Sequence, residues 1–163
     1  ASAAIDGADL MLSSPWVNHL ERLDVSGTRI GALGWHHLID SDNAMLESLF
    51  LATTSPGNDA AARLQEAPWR TSIKTLSLAR NGLEDHGILP MFQESWPSLR
   101  HLDLSGNILS FDLLHAMMEG DFPSLEVLDI TDMMLPPGLE RELLESKNLP
   151  KLRDVRSFGI AIG

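Results

Sequence analysis

The sequence contains no cysteine. That excludes disulfide staples, thiolate metal sites and cysteine nucleophiles, and it favours a cytoplasmic, intracellular setting. Basic residues are scarce: 12 Lys and Arg stand against 23 Asp and Glu, for a net charge of −11. A protein that grips nucleic acid must neutralise phosphates with Lys and Arg, so this balance argues against a nucleic-acid partner and against an anionic membrane surface. No apolar run approaches the roughly 20 residues needed to cross a bilayer, so no membrane insertion is expected. The opening "ASAAIDGADLMLSSPW" has no basic n-region and carries Asp6, so it is not an intact signal peptide.

What the chain does contain is enough apolar material for one globular domain, with 44% hydrophobic and 21% charged residues over 163 positions. That material is periodic. "LERLDVSGTRI" starts at Leu20, "LESLFLATTSP" at Leu46, "IKTLSLARNGL" at Ile73, "LRHLDLSGNIL" at Leu99, "LEVLDITDMML" at Leu125 and "LRDVRSFGIAI" at Leu152. Successive starts lie 26 or 27 residues apart. Within a copy, Leu102 and Leu104 alternate with His101 and Asp103, the pattern of a short strand with one apolar and one polar face. A single such strand cannot bury its apolar face alone, and stacked neighbours complete it.

A second element recurs between the strands. Eighteen residues after each start stand Leu38, Leu64, Met91, Met117 and Leu143, and four residues before those stand Gly34, Ala60, Gly87, Leu113 and Leu139. An i, i+4 pair is one face of a helix. Ser110 is placed to cap "FDLLHAMME", and Gly120 is placed to end it in the left-handed region. Trp96, Phe122 and Leu149, each three residues before a strand leucine, are expected in the interior.

These segments resemble leucine-rich repeats, whose pattern L-x-x-L-x-L-x-x-N-x-L they follow position by position over nearly the whole chain. The 26- to 27-residue length resembles the intracellular, ribonuclease-inhibitor-like type. The resemblance implies an α/β solenoid, residues 1–163 forming a single domain, with parallel strands on a concave face and helices on the convex face. Residues 1–19 then read as the helical half of an incomplete first repeat, with Ala8 and Leu12 as its helix pair. "SFGIAIG" ends without a polar cap, so the chain reads as an excerpt or as one part of a larger assembly. The family's Asn position holds Thr28, Thr54, Asn81, Asn107, Met133 and Ile160. Threonine hydroxyls can stand in for the amide, but Met133 and Ile160 cannot, so less regular turns are expected after the last two strands.

The repeats also bear on chemistry. His101, Asp103 and Ser105 suggest acid–base or nucleophilic work in isolation. Yet the serine's slot holds Ser26, Ala52, Ala79, Thr131 and Phe158 elsewhere, and no G-x-S-x-G elbow is present. The six histidines show no H-E-x-x-H or other ligand spacing, and no phosphate loop occurs. No enzyme activity, metal or cofactor is expected.

The resemblance places function on the concave sheet. Alternation sends Asp24, Phe50, Ser77, Asp103, Asp129 and Arg156 there in one column, with Arg22, His101 and Asp154 in the neighbouring one. The expected function is non-catalytic binding of a protein partner that carries basic residues for Asp103 and Asp129 and an apolar group for Phe50. A plainer account makes the aspartates soluble strand residues and either packs Phe50 against Arg22 or covers it with a terminal segment. Other readings in the style of the family are a regulatory or recruiting subunit, either GTPase-activator-like with Arg80 as the exposed arginine or a ubiquitin-ligase substrate receptor, and a structural subunit of a larger complex.

Overall fold

Strand, turn, helix and return segment follow one another five times, and a sixth strand closes the series, in the computed structural model, which describes residues 11–157. Each strand is three residues long and begins two residues after a repeat start: β1 (Arg22–Asp24), β2 (Ser48–Phe50), β3 (Thr75–Ser77), β4 (His101–Asp103), β5 (Val127–Asp129) and β6 (Asp154–Arg156). They form one parallel sheet in sequential order. The register is unbroken: Leu23, Leu49, Leu76, Leu102, Leu128 and Val155 pair across it as one row. That row is buried, from 9% exposed at Val155 to 0% at the four central leucines. The middle of the sheet therefore carries the best-covered core, as expected where every repeat has neighbours on both sides.

The chain must turn sharply after each strand, and one position does this every time. The eighth residue of each of the first five repeats is left-handed: Gly27, Thr53, Arg80, Gly106 and Asp132, with φ between +55° and +79°. Only two of the five are glycines. A β-branched residue pays a steric cost in this region of about 1–2 kcal/mol, so Thr53→Gly is expected to raise stability by about 0.5–1 kcal/mol after the entropic cost of glycine. Gly106→Ala goes the other way, because its Cβ would lie 2.6 Å from Cγ of Arg80 at a φ of +68°. Urea denaturation of the two variants should give shifts of opposite sign, and shifts of the same sign would refute this account.

The ninth position then holds the turn together. Asn107 Nδ2 donates to the carbonyls of Leu78 and Leu104, and its Oδ1 accepts from the N–H groups of Asn81 and Leu83. Asn81 repeats this one unit earlier with the carbonyls of Leu51 and Leu78 and the N–H groups of Thr54 and Ser55. Thr54 extends the ladder through its hydroxyl, which donates to Leu51 O and accepts from the indole N–H of Trp35 at 2.8 Å. Thr28 Oγ1 donates only to Val25 O, in its own turn. At Met133 no side chain can take part, and the next helix starts two positions later, after Pro136, Pro137 and Gly138. Ile160 lies outside the described residues.

The helical halves depart from the expected full helix per repeat. α1 (Gly31–Asp40) and α4 (Phe111–Met118) are regular, but α2 (Asn58–Ala61), α3 (Asp85–Ile88) and α5 (Leu139–Leu144) are short, and 3₁₀ turns follow α2 and α3. Pro90 explains the break after Ile88, since proline removes a donor from a continuing α-helix. A 3₁₀ turn also rises about 2.0 Å per residue against about 1.5 Å, so it carries the return segment further with few residues. The inward positions are unaffected: Leu38, Leu64, Met91, Met117 and Leu143 are all 0–1% exposed. Leu12 is helical and buried, while Ala8 lies outside the described residues.

Two local expectations at α4 fail. Ser110 occupies the N-cap position without capping the helix; its hydroxyl instead donates to Asp85 of the preceding repeat. Gly120 is not left-handed. Glycine stands there because a Cβ would lie 3.0 Å from the carbonyl oxygen of Phe92 and 2.9 Å from the Phe122 ring.

Return segments fill the interior with large side chains. Trp69, Trp96 and Phe122 are fully buried and Leu149 nearly so, and the edge of one ring of the Phe92–Phe122 pair meets the other's face at 5.6 Å. In the first repeat the slot of Trp96 holds Asn43, 1% exposed. Its amide donates to the carbonyls of Val17 and Leu20 and accepts the N–H of Met45, so burial is fully compensated. Among the described residues no helix is long and apolar enough to cross a membrane.

Candidate functional site

Because the strands are in register, alternate residues form two columns on the concave face. One aligns Arg22, Ser48, Thr75, His101, Val127 and Asp154; the other aligns Asp24, Phe50, Ser77, Asp103, Asp129 and Arg156. All nine predicted contact residues thus lie on one surface, but they are not equally available.

The aspartates have a local duty first. Asp24, Asp103 and Asp129 each accept the backbone N–H of the residue two further on, Ser26, Ser105 and Thr131, all at 3.0 Å. The hydroxyls of Ser105 and Thr131 donate to the same oxygen at 2.6 Å. An aspartate at a strand end thereby satisfies the first N–H released from the sheet. At Asp24 this bond from Ser26, with the Ser26 hydroxyl and the charge of Arg22, outweighs partial burial and holds the carboxyl below the usual carboxylate range. The second oxygen distinguishes them. Oδ2 of Asp103 accepts from Ser77, while the Oδ2 of Asp129 has no hydrogen-bond donor among the described residues.

Ser77 is 7% exposed and commits its hydroxyl to Asp103, so it is closed to a partner rather than presented to one. Arg156 is exposed but pairs through Nε with Asp154 at 3.0 Å on its own strand. Although Arg156 stands beside Asp129 in the register, it pairs with Asp154, and among the described residues no ion pair joins a Lys or Arg to the side-by-side Asp103 and Asp129. Phe50 is half-buried, with the Arg22 guanidinium 4.4 Å from its ring centroid. The pairing with Arg22 that the plainer account required is thus present. It replaces an open apolar spot by a cation-on-ring platform whose outer surface is the guanidinium.

The His101, Asp103 and Ser105 constellation does not assemble. Ser105 donates to Asp103, not to His101, and no hydrogen bond joins the imidazole to either among the described residues. Arg80 is exposed at the end of β3, with its stem against the backbone of Gly106, in the left-handed slot that every turn needs. "EDH" at 84–86 starts α3, with Glu84 at the N-cap position and Asp85 in the first turn.

Three charged or polar arrays escaped the sequence reading, and all serve the scaffold. The second position forms cross-repeat pairs between the second and third repeats, Lys74 with Glu47 at 2.9 Å, and between the fifth and sixth, Arg153 with Glu126 at 3.1 Å. Ser72, Ser98 and Ser124 donate to carbonyls of the preceding repeat, Leu46, Thr71 and Pro97. On the convex side Arg63 bonds Asp40 at 2.6 Å, Glu66 at 2.9 Å and Nδ1 of His36 at 2.6 Å, and its hydrogen bond keeps the Asp40 carboxyl below its usual range. A guanidinium only donates, so His36 accepts through Nδ1. For the first two the sequence signal was a polar residue recurring at a fixed repeat position, visible only once the copies are compared across repeats rather than along the chain; the Arg63 cluster occurs once and has no such signal.

Comparison with known proteins agrees with this geometry. A family model described as Leucine Rich Repeat matches residues 98–118, and a second, described as Leucine Rich repeat, matches residues 18–34. No curated protein matches the chain. Among solved structures, the tropomodulin C-terminal domain from Caenorhabditis elegans is 15% identical, with a TM-score of 0.51 over 97% of this chain and 84% of that one. Leiomodin-1 actin-binding site 2 is 12% identical, with a TM-score of 0.47 over 95% of this chain and 79% of that one. At such identity the tropomodulin likeness speaks to fold alone. Six strands in register, a recurring left-handed turn with its asparagine ladder, and family-model matches in the first and fourth repeats show that the chain is built of leucine-rich repeats.

Proposed function

We propose that the protein is a non-catalytic interaction module whose concave sheet receives a basic protein partner. The observation that carries this is the adjacent Asp103 and Asp129 pair, aligned by β4 and β5, with the nearest strand's arginine already held by Asp154. Two carboxylates side by side repel each other, and a Lys or Arg from a partner relieves both at once. The Arg22 and Phe50 platform three strands away supplies a planar surface at the other end of the same column. An intracellular setting goes with this reading, as the absence of cysteine suggests.

The test is capture of partners by the native protein, by Phe50→Ala and by the double variant Asp103→Asn, Asp129→Asn, with identification by mass spectrometry. A specific partner should be retained by the native chain and depleted about tenfold by each variant. Its affinity should also fall as salt rises. Retention that is indifferent to all three changes would overturn the assignment of this face.

A further inference from the structure

The tenth residue of a repeat lies on the rim where the chain leaves the sheet. In the first three repeats it is Arg29, Ser55 or Gly82. In the fourth and fifth it is Ile108 and Met134, 67% and 58% exposed, the most exposed large apolar side chains among the described residues. Phe111, at the start of α4 and 40% exposed, extends the same rim. The backbone around Ile108 is fixed rather than loose: Ile108 N–H donates to Leu83 O at 2.8 Å in a bridge with Glu84, and Ser110 N–H donates to Asp85. Large apolar groups held in the open on two successive repeats are not explained by the solenoid, since earlier repeats manage that turn without them.

The charge around them is one-sided. Between Arg80 and Arg141 the only Lys or Arg is Arg100, against eleven Asp and Glu. Arg100 sits before β4, at the opposite end of the strand from the rim. Beside the apolar residues stand Glu84 and Asp85 across the turn, Asp112 next to Phe111, and Asp132 two residues before Met134. Glu84, Asp85, His86, Ile108, Leu109 and Ser110 line a shallow cleft there, in which Asp85 accepts from Ser110 and Glu84 lies 3.5 Å from Nδ1 of His86.

We infer that the rim of the fourth and fifth repeats is a docking surface for a basic amphipathic segment of a protein partner. Ile108, Met134 and Phe111 take its apolar face, and the surrounding carboxylates take its Lys and Arg. A second copy of this chain fits poorly, because it would bring two acidic rims together. This surface lies in the same two repeats as Asp103 and Asp129, but the concave face is tested by Asp103→Asn, Asp129→Asn and the rim by Ile108→Ser, Met134→Ser, so either assignment can fail without the other.

The probe is a synthetic helix of about 18 residues with Leu and Lys at i, i+3, i+4 spacing, titrated against the whole chain with labelled Ile and Met methyls. Binding should shift the Ile108 and Met134 methyls. Affinity should exceed that of a Lys and Ser peptide of equal charge by about tenfold, and Ile108→Ser, Met134→Ser should lose about the same factor. Leu33→Ser, at an exposed apolar residue of α1, should leave it within about twofold. Both rim positions are exposed, so the double variant is expected to keep the native circular dichroism spectrum. Equal binding by that variant, equal binding of a Leu and Glu peptide, or shifts confined to the strands would overturn the proposal. So would a dimer at sedimentation equilibrium that the double variant abolishes, which would make the occupant a second copy.

Discussion

Asn81→Ala is expected to destabilise the protein by about 3–5 kcal/mol, the sum of several backbone groups left without partners at roughly 1 kcal/mol or more each. The amide serves four of them. Nδ2 donates to Leu51 O at 2.9 Å and Leu78 O at 3.0 Å, and Oδ1 accepts from Thr54 N at 2.7 Å and Ser55 N at 3.2 Å. These partners lie in two repeats, so the loss is felt on both sides of the β2–β3 boundary. Asn81→Asp should be nearly as damaging: it keeps the acceptors but aims a carboxylate at two carbonyl oxygens. Thr28→Val provides the contrast. The Thr28 hydroxyl donates within its own turn to Val25 O, so its removal should cost about 1 kcal/mol. Urea denaturation followed by circular dichroism measures all three. A loss below about 1 kcal/mol for Asn81→Ala would show that the ladder is incidental to stability.

That ladder was legible in the sequence because a solenoid makes each slot repeat. Strand alternation alone placed Leu102, Leu104 and their equivalents inside, and the 18-residue offset placed Met91 and Met117, because burial follows from periods that no local conformation alters. Conformation at a single residue was harder to read. Thr53 and Arg80 occupy a left-handed slot that their side chains disfavour, since the turn and the ladder over-determine the backbone there. Gly120 suggested a left-handed helix end, yet it is needed for the close approach of the Phe92 carbonyl, which depends on a return segment from another repeat. Helix length was overestimated for the same reason: propensity favours a helix through "AAARLQEA", but the span to the next strand selects 3₁₀ turns.

The candidate site divided along similar lines. Which residues share the concave face followed from register, and register followed from the repeat. What each carboxylate does did not, because it turns on the seventh position. Ser26, Ser105 and Thr131 convert the fifth-position aspartates into caps for the strand ends, a pairing spaced by two that resembles ordinary strand alternation. Asp129 keeps a free oxygen only because Val127, Thr131 and the self-paired Arg156 leave it one. The exposed rim of Ile108 and Met134 was hidden by the family pattern itself, which treats the residue after the asparagine position as unspecified.

Trp96→Ala is expected to be the other severe variant, at about 3–5 kcal/mol for a fully buried tryptophan. Its side chain closes the return segment between the third and fourth repeats, and its indole N–H donates to Met91 O at 2.7 Å. Truncation therefore opens a cavity and also leaves a buried carbonyl unpaired. Trp96→Phe separates the two effects, because Phe122 fills the same slot one repeat later without any such bond. That variant should cost about 1–2 kcal/mol, most of it the stranded carbonyl and the smaller ring. Position along the solenoid decides how the damage spreads. Trp96 has complete repeats on both sides, whereas Leu152, 7% exposed beside β6, has a described neighbour on one side only. Coupling between nearest repeats then predicts that Trp96→Ala lowers amide protection in β3 and β4 together, and that Leu152→Ala lowers it in β5 and β6 while β2 and β3 keep theirs. Hydrogen exchange resolves the strands individually. Uniform loss across all six strands in both variants would mean that the sheet opens as a single cooperative unit, and the repeat-by-repeat account would have to be abandoned.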